Sequence, residues 1–263
     1  MAPAILSVLF AVAAVAQPKD EAHQDSIIAK YLKRGAWKHS MFSKEWHDEI
    51  DKGLAEDSTV AYLWQQKAMP LFKQRKYEYA MPFLDKAVQY DKHWLDYRAF
   101  MECIFAKQYR RALIDFEVAK KLNGDVYVMD HSYDFYRGLC YLQLNLFDSA
   151  LLALHSEIEK AEREQGKGWV HFLDIFYLGV AYYELQDYDK AIATFERCLK
   201  SNPVLSDAKY YYGCALIRKG DEVKGKAFIN EAREDAKEGK TINEDNAIYE
   251  PYPYQVNWKL VAP

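Results

Sequence analysis

The chain is poor in helix breakers and in the groups that carry most protein chemistry. Its 263 residues include 11 glycines and 8 prolines, too few for the closely spaced turns of a β-sandwich or barrel. Four cysteines, Cys103, Cys140, Cys198 and Cys214, stand without a Cys-x-x-Cys spacing, which excludes the common zinc patterns. Cys198 and Cys214 are the nearest pair in sequence. On consecutive antiparallel helices they would be offset by roughly 7 Å along the axes and ~9 Å across them. That exceeds the ~7 Å between Cα atoms that a disulfide tolerates, so all four read as small buried residues. None of the seven histidines sits in a His-Glu-x-x-His arrangement. A glycine-rich phosphate loop and a Gly-x-Ser-x-Gly elbow are also missing. The sequence therefore assigns no catalytic residue, no metal ligand and no cofactor, and the chain reads as not an enzyme. A formal net charge of −4, without a basic run, excludes a nucleic-acid partner held through phosphates.

Long hydrophobic runs are scarce too. The one apolar stretch, residues 4–16, is interrupted by Ser7 and followed by Gln17-Pro18-Lys19-Asp20. It is too short to span a bilayer, so no stable transmembrane anchor is expected. Ala14-Val15-Ala16 supplies the small residues of a cleavage site, which makes residues 1–16 an expected signal peptide. The corresponding location is the periplasm or cell surface of a bacterium. No Lys or Arg precedes the run, so two alternatives stay open: a basic region upstream of Met1, or a buried terminal helix.

What is present is hydrophobic mass: half of the residues are hydrophobic, with 21 Tyr, 13 Phe and 6 Trp. Its spacing is helical. Ile175, Leu178, Gly179 and Tyr182 lie three, one and three residues apart, on one face of a helix. Gln186-Asp187-Tyr188-Asp189 makes a turn, and Ala191, Phe195 and Cys198 resume the pattern up to Ser201-Asn202-Pro203. Gly179 and Ala191 lack bulk, so two antiparallel helices can approach closely there while Tyr182 and Phe195 fill the space beside them. The pattern recurs. Tyr212-Gly213, Gly225, Ile229 and Ala232 follow 34 residues on, and upstream Ala150, Ala112 and Ala80 are each followed four residues later by Leu154, Phe116 or Leu84. The small residues are spaced 32, 38, 41 and 34 residues apart, which places short insertions in loops, most visibly around Gly166-Lys167-Gly168.

These residues resemble the tetratricopeptide repeat, whose period is about 34 residues; Trp64 occupies the family's aromatic position in the first copy and Ile175 replaces it in the fourth. The resemblance implies an all-α fold, a right-handed superhelical solenoid of antiparallel helix pairs. Five repeats are expected over residues 61–239, with N-terminal capping helices over 17–60 and an extended aromatic and proline-rich segment over 240–263. Within 17–60, Ile27, Tyr31 and Trp37 form one apolar stretch, Trp46, Ile50 and Leu54 another, and Ser43 is a candidate helix cap.

In this family the first helix of each pair lines a concave groove that holds a protein or peptide segment. On the Gly179 register the groove residues would include Tyr62, Phe72, Trp94, Tyr97, Phe135, Phe176, Tyr183 and Tyr210. The family's carboxylate-gripping variant is not expected, because Gln65, Met69, Tyr97 and Met101 stand where its cations would be. The expected function is a protein-interaction scaffold. The alternative is a small-molecule or glycan receptor using the same aromatic wall; nothing in the sequence fixes the oligomeric state. Pro251 and Pro253 keep the C-terminal segment out of a helix. It can cap the last pair, be offered to a partner, or fill the groove in cis.

Overall fold

The computed structural model describes residues 20–124 and 126–261, so the expected signal peptide lies outside the described residues. Five antiparallel helix pairs follow one another: α3 and α4 (Ala61–Lys73, Tyr77–Tyr90), α5 and α6 (Leu95–Ile104, Tyr109–Asn123), α7 and α8 (Tyr133–Gln143, Phe147–Glu164), α9 and α10 (Phe172–Glu184, Tyr188–Ser201), α11 and α12 (Ser206–Arg218, Glu222–Lys237). Two helices precede them, the short α1 (Glu21–Ile27) and α2 (Lys44–Glu56). Among the described residues no helix is long and apolar enough to cross a membrane. Two compact units divide this chain: residues 20–70 with 81–92, and residues 71–80 with 93–261.

In the first unit Ser43 caps α2 by accepting from the Trp46 amide at 3.3 Å. Trp46, Ile50 and Leu54 then enter a core with Ile27, Leu32 and Ala36. Trp37, from the apolar stretch that includes Ile27 and Tyr31, is half exposed. The reason is local: α1 continues as a wider π-helical segment over Ile28–Lys33. The extra residue in that turn rotates the inward face onto Leu32 and Ala36. Trp64 stacks on Phe83 at 5.9 Å between centroids and donates to the Ser58 carbonyl at 2.8 Å.

In the second unit the small residues do what their spacing predicted. Ala112, Ala150 and Ala191 are fully buried, as are Phe116, Leu154 and Phe195 four residues on. A methyl group added at Gly179 would lie 2.5 Å from the Phe195 ring, so glycine is what lets that ring sit against α9. In the last pair Gly213 and Gly225 stand backbone to backbone: a Cβ on either would fall within 2.7 Å of the other's carbonyl oxygen. The turn inside each pair holds one left-handed residue: Arg75, Lys107, Asn145, Gln186 and Gly220, with φ between 55° and 95°. Four of these are not glycine, at a cost of roughly 1–2 kcal/mol each, so the packed pairs impose this turn regardless of side chain.

Two insertions interrupt the period. Between α6 and α7 a two-residue hairpin forms, β1 (Tyr127–Val128) against β2 (His131–Ser132). Between α8 and α9 a short 3-10 turn spans Lys167–Trp169. The spacing located both as loops, but the hairpin was not anticipated. After α12 the chain makes turns without helix or strand.

Candidate functional site

The C-terminal segment lies against the first helices and turns of the second unit. It is anchored at Asp207, at the start of α11 and fully buried. This carboxylate accepts from the Thr241 hydroxyl at 2.6 Å and from the amides of Ile242 at 2.9 Å and Val256 at 2.7 Å. Burial pushes its carboxyl up, and these three donors pull the other way. Gln255 closes the loop by donating to the Ile242 carbonyl at 3.0 Å and accepting from the Tyr252 amide at 3.0 Å. One buried side chain thus clasps both ends of the stretch 241–256.

Between the clasped ends the chain runs out to the turns of the earlier pairs. Arg75 donates to the Tyr249 carbonyl at 3.0 Å, Lys107 to the Pro251 carbonyl at 2.7 Å, and the buried Tyr177 hydroxyl to the Pro253 carbonyl at 2.9 Å. These are alternate residues, spread from the turn that closes at Tyr249 and Glu250 on the Asn246 carbonyl to the turn in which the Gln255 amide donates to the Tyr252 carbonyl. Pro251 and Pro253 have no amide hydrogen to leave unsatisfied in such a seat. Glu250 accepts from the Tyr77 hydroxyl and lies 3.6 Å from Arg75 and 3.8 Å from Lys107. Burial lowers the Lys107 pKa, with Glu250 acting against it. Tyr252 is buried. Tyr254 packs on Tyr211 at 5.9 Å and Trp258 edge-on to Tyr210 at 5.6 Å. Two of the gripping cations, Arg75 and Lys107, are themselves the left-handed residues of their turns.

The eight aromatic residues expected to line a groove are placed unevenly. Tyr62 is half-buried in the first unit, against its core. Phe72, Phe135 and Phe176 are fully buried, so as folded no ligand touches them. Phe72 packs on Tyr77 and Phe105, Phe135 lies flat on His131 at 3.8 Å, and Phe176 packs with Phe195 and Tyr211. Trp94 and Tyr97 are half-buried and pack edge to face at 5.8 Å. Tyr183 is half-buried between Tyr188 and Tyr211. Of the eight, Tyr210 packs directly on a C-terminal ring; burial raises its pKa to about 12. The residues that hold the segment's backbone, Arg75, Lys107, Tyr177 and Asp207, were missed. The signal for Tyr177 was present, since it is adjacent to Phe176, but successive helical residues point about 100° apart and the register chose the wrong neighbour. A recess of about 730 Å³ lies where Tyr210, Ile217, Ile229 and Arg233 meet Val256 and Leu260.

Residues 173–203 match the family model of the tetratricopeptide repeat. No curated protein matches the chain. Among solved structures it is similar to MamA 41-end from Desulfovibrio magneticus RS-1, at 17% identity and a TM-score of 0.56, over 68% of this chain and 96% of that one. It is also similar to BtubC (BKLC) from P. vanneervenii, at 17% identity and a TM-score of 0.57, over 84% and 93%. A third is YrrB, described as a TPR protein with an unusual peptide-binding site, at 20% identity and a TM-score of 0.50, over 72% and 92%. At these identities the likeness concerns the fold, a solenoid of tetratricopeptide-type helix pairs.

Proposed function

We propose that this tetratricopeptide-repeat protein is a non-catalytic interaction scaffold whose first-helix face, in the second unit, binds an extended protein segment, and that its own residues 241–258 occupy that seat until a partner displaces them. The observation that carries this reading is the row of donors, Arg75, Lys107 and Tyr177, on alternate main-chain carbonyls. Donors of this kind read backbone and not side chains, so any extended segment of suitable chemistry can replace the resident one. Selectivity then comes from the seat of Glu250, made by Tyr77 and two cations, and from the buried site of Tyr252. The preferred partner segment is therefore acidic, then proline- and tyrosine-rich.

A photo-crosslinking residue at Tyr183, half-buried on α9, tests this in the producing cell. In the Asp207→Ala chain, whose clasp is open, a discrete protein adduct should increase several-fold over the unaltered chain. The adduct should map to an extended, acidic and aromatic segment. Equal labelling with the clasp open or closed would refute displacement. We further propose export, on the strength of residues 4–16 and the small residues before Gln17. Amino-terminal sequencing of the mature protein should begin at Gln17, and retention of residues 1–16 would overturn that proposal.

A further inference from the structure

The two insertions that break the repeat period fold toward each other and enclose a recess of about 250 Å³. The β1–β2 hairpin supplies Tyr127 and Asp130, the loop before α9 supplies Trp169 and His171, and Glu157 from α8 and Asp174 from α9 stand between them. Both carboxylates are almost fully buried, 4% and 5% exposed. One oxygen of Glu157, Oε2, has no hydrogen-bond partner, while Oε1 is 3.5 Å from the Tyr127 hydroxyl. An unpaired buried carboxylate oxygen costs several kcal/mol unless a donor reaches it. Two histidines line the same recess. His131 is turned to Glu244, 3.3 Å away, with its ring on Phe135. His171 accepts from the Leu173 amide at 3.4 Å, and its pKa is lowered by burial and by His131, which leaves it uncharged near neutral pH. Lys160, whose charge is felt at the Tyr127 hydroxyl, lies one turn beyond Glu157.

We propose that this recess is a binding site for an organic cation bearing N–H donors, a primary ammonium or a guanidinium on an alkyl stem. Glu157 Oε2 and Asp174 receive the head group, and Trp169 and Tyr127, 74% and 52% exposed, flank the mouth with ring faces that attract a cation. The choice of an organic cation over a metal follows from the donor set. Among the described residues no three His, Cys, Asp or Glu side chains are disposed to hold an ion, and Tyr127 and Trp169 add aromatic surface to the wall. The size agrees: the recess falls below the roughly 300–1,000 Å³ of drug-sized pockets and suits a head group with a few methylenes. Such a head is found on a free amine or on a lysine or arginine side chain. The site stands on its own loops, and its failure would leave the groove reading untouched.

Calorimetric titration of the full chain with agmatine, with N-acetyl-arginine amide and with the neutral isostere N-acetyl-citrulline amide tests it. Saturable binding of either cation, with none for the citrulline compound, is the expected result. Tighter agmatine identifies a free amine as the ligand, and tighter acetyl-arginine amide a partner's side chain. Glu157→Gln should weaken binding about tenfold or more, the worth of a charge-assisted hydrogen bond. Trp169→Ala, at an exposed position that leaves folding intact, should weaken it about threefold. No saturation into the millimolar range, equal binding of the citrulline compound, or unchanged affinity in Trp169→Ala would overturn the proposal.

Discussion

Asp207 and Asp174 are both buried acids in the first turn of a helix, but they are satisfied differently. Asp207 accepts three hydrogen bonds from the C-terminal segment. Asp207→Ala leaves the Ile242 and Val256 amides without an acceptor, at about 1–3 kcal/mol each. Limited proteolysis should then cut between Tyr249 and Trp258 well before any helix is cleaved, whereas the unaltered chain resists at those sites. For Asp174 burial outweighs the compensation and raises the pKa to about 7, with His131 and a backbone hydrogen bond at His171 opposing and Glu157 adding. A carboxyl in the unfolded chain titrates near ~3.9. Between these values the unfolded state loses its proton first, so stability is full below about pH 4 and declines as pH rises toward about 7. At ~1.4 kcal/mol per pH unit the decline is bounded at ~4 kcal/mol. Denaturant unfolding of Asp174→Asn against the unaltered chain should show that slope disappear between those two pH values.

At the scale of the helix pair, the sequence was most legible where packing is most repetitive. A small residue facing a large one four positions along recurs because two helices can close only where one side gives way, so Ala112, Ala150 and Ala191 could be read as contact points. The last pair extends the logic to two facing glycines. Gly213→Ala brings a Cβ to 2.7 Å from a backbone oxygen, while Gly138→Ala meets side-chain atoms alone, Cγ and Cδ2 of the buried Leu154, at the same distance. Thermal denaturation should therefore rank Gly213→Ala as the more damaging, by about 1–3 kcal/mol, and Gly138→Ala as the milder. The π-helical segment after α1 was illegible because its wider turn leaves no signature in spacing. The insertions could be counted but not folded: a surplus of residues over a 34-residue period says nothing of a hairpin, nor that two such loops meet around Glu157 and Asp174. Three of the eight groove aromatics, Phe72, Phe135 and Phe176, are buried core for a third reason. Adjacent rings such as Phe176 and Tyr177 differ by one step around the helix, and periodicity alone does not say which of them faces the neighbouring helix and which the ligand.

At the scale of the second unit, a regular solenoid carries an irregular segment that lies on it. Prolines at 251 and 253 told that this segment leaves the helical pattern, but not which surface it covers. That surface is selected by Arg75, Lys107 and Tyr177, polar groups scattered through more than a hundred residues of sequence and brought into line by the stacking of pairs. Their hydrogen bonds to carbonyls are worth about 1–3 kcal/mol each where the donor is charged and the site is partly dry. A segment held in this way is stable while tethered and exchangeable once a competitor is present at sufficient concentration. The most direct measurement uses a protease site inserted after Gly239, so that the segment can be cut from the folded protein and replaced by a labelled peptide of residues 241–261. The account predicts that the cut protein stays folded, exchanges its own segment for the labelled one in a saturable manner, and loses that binding in Asp207→Ala. A cut protein that remains folded but neither retains its segment nor takes up the peptide would contradict it.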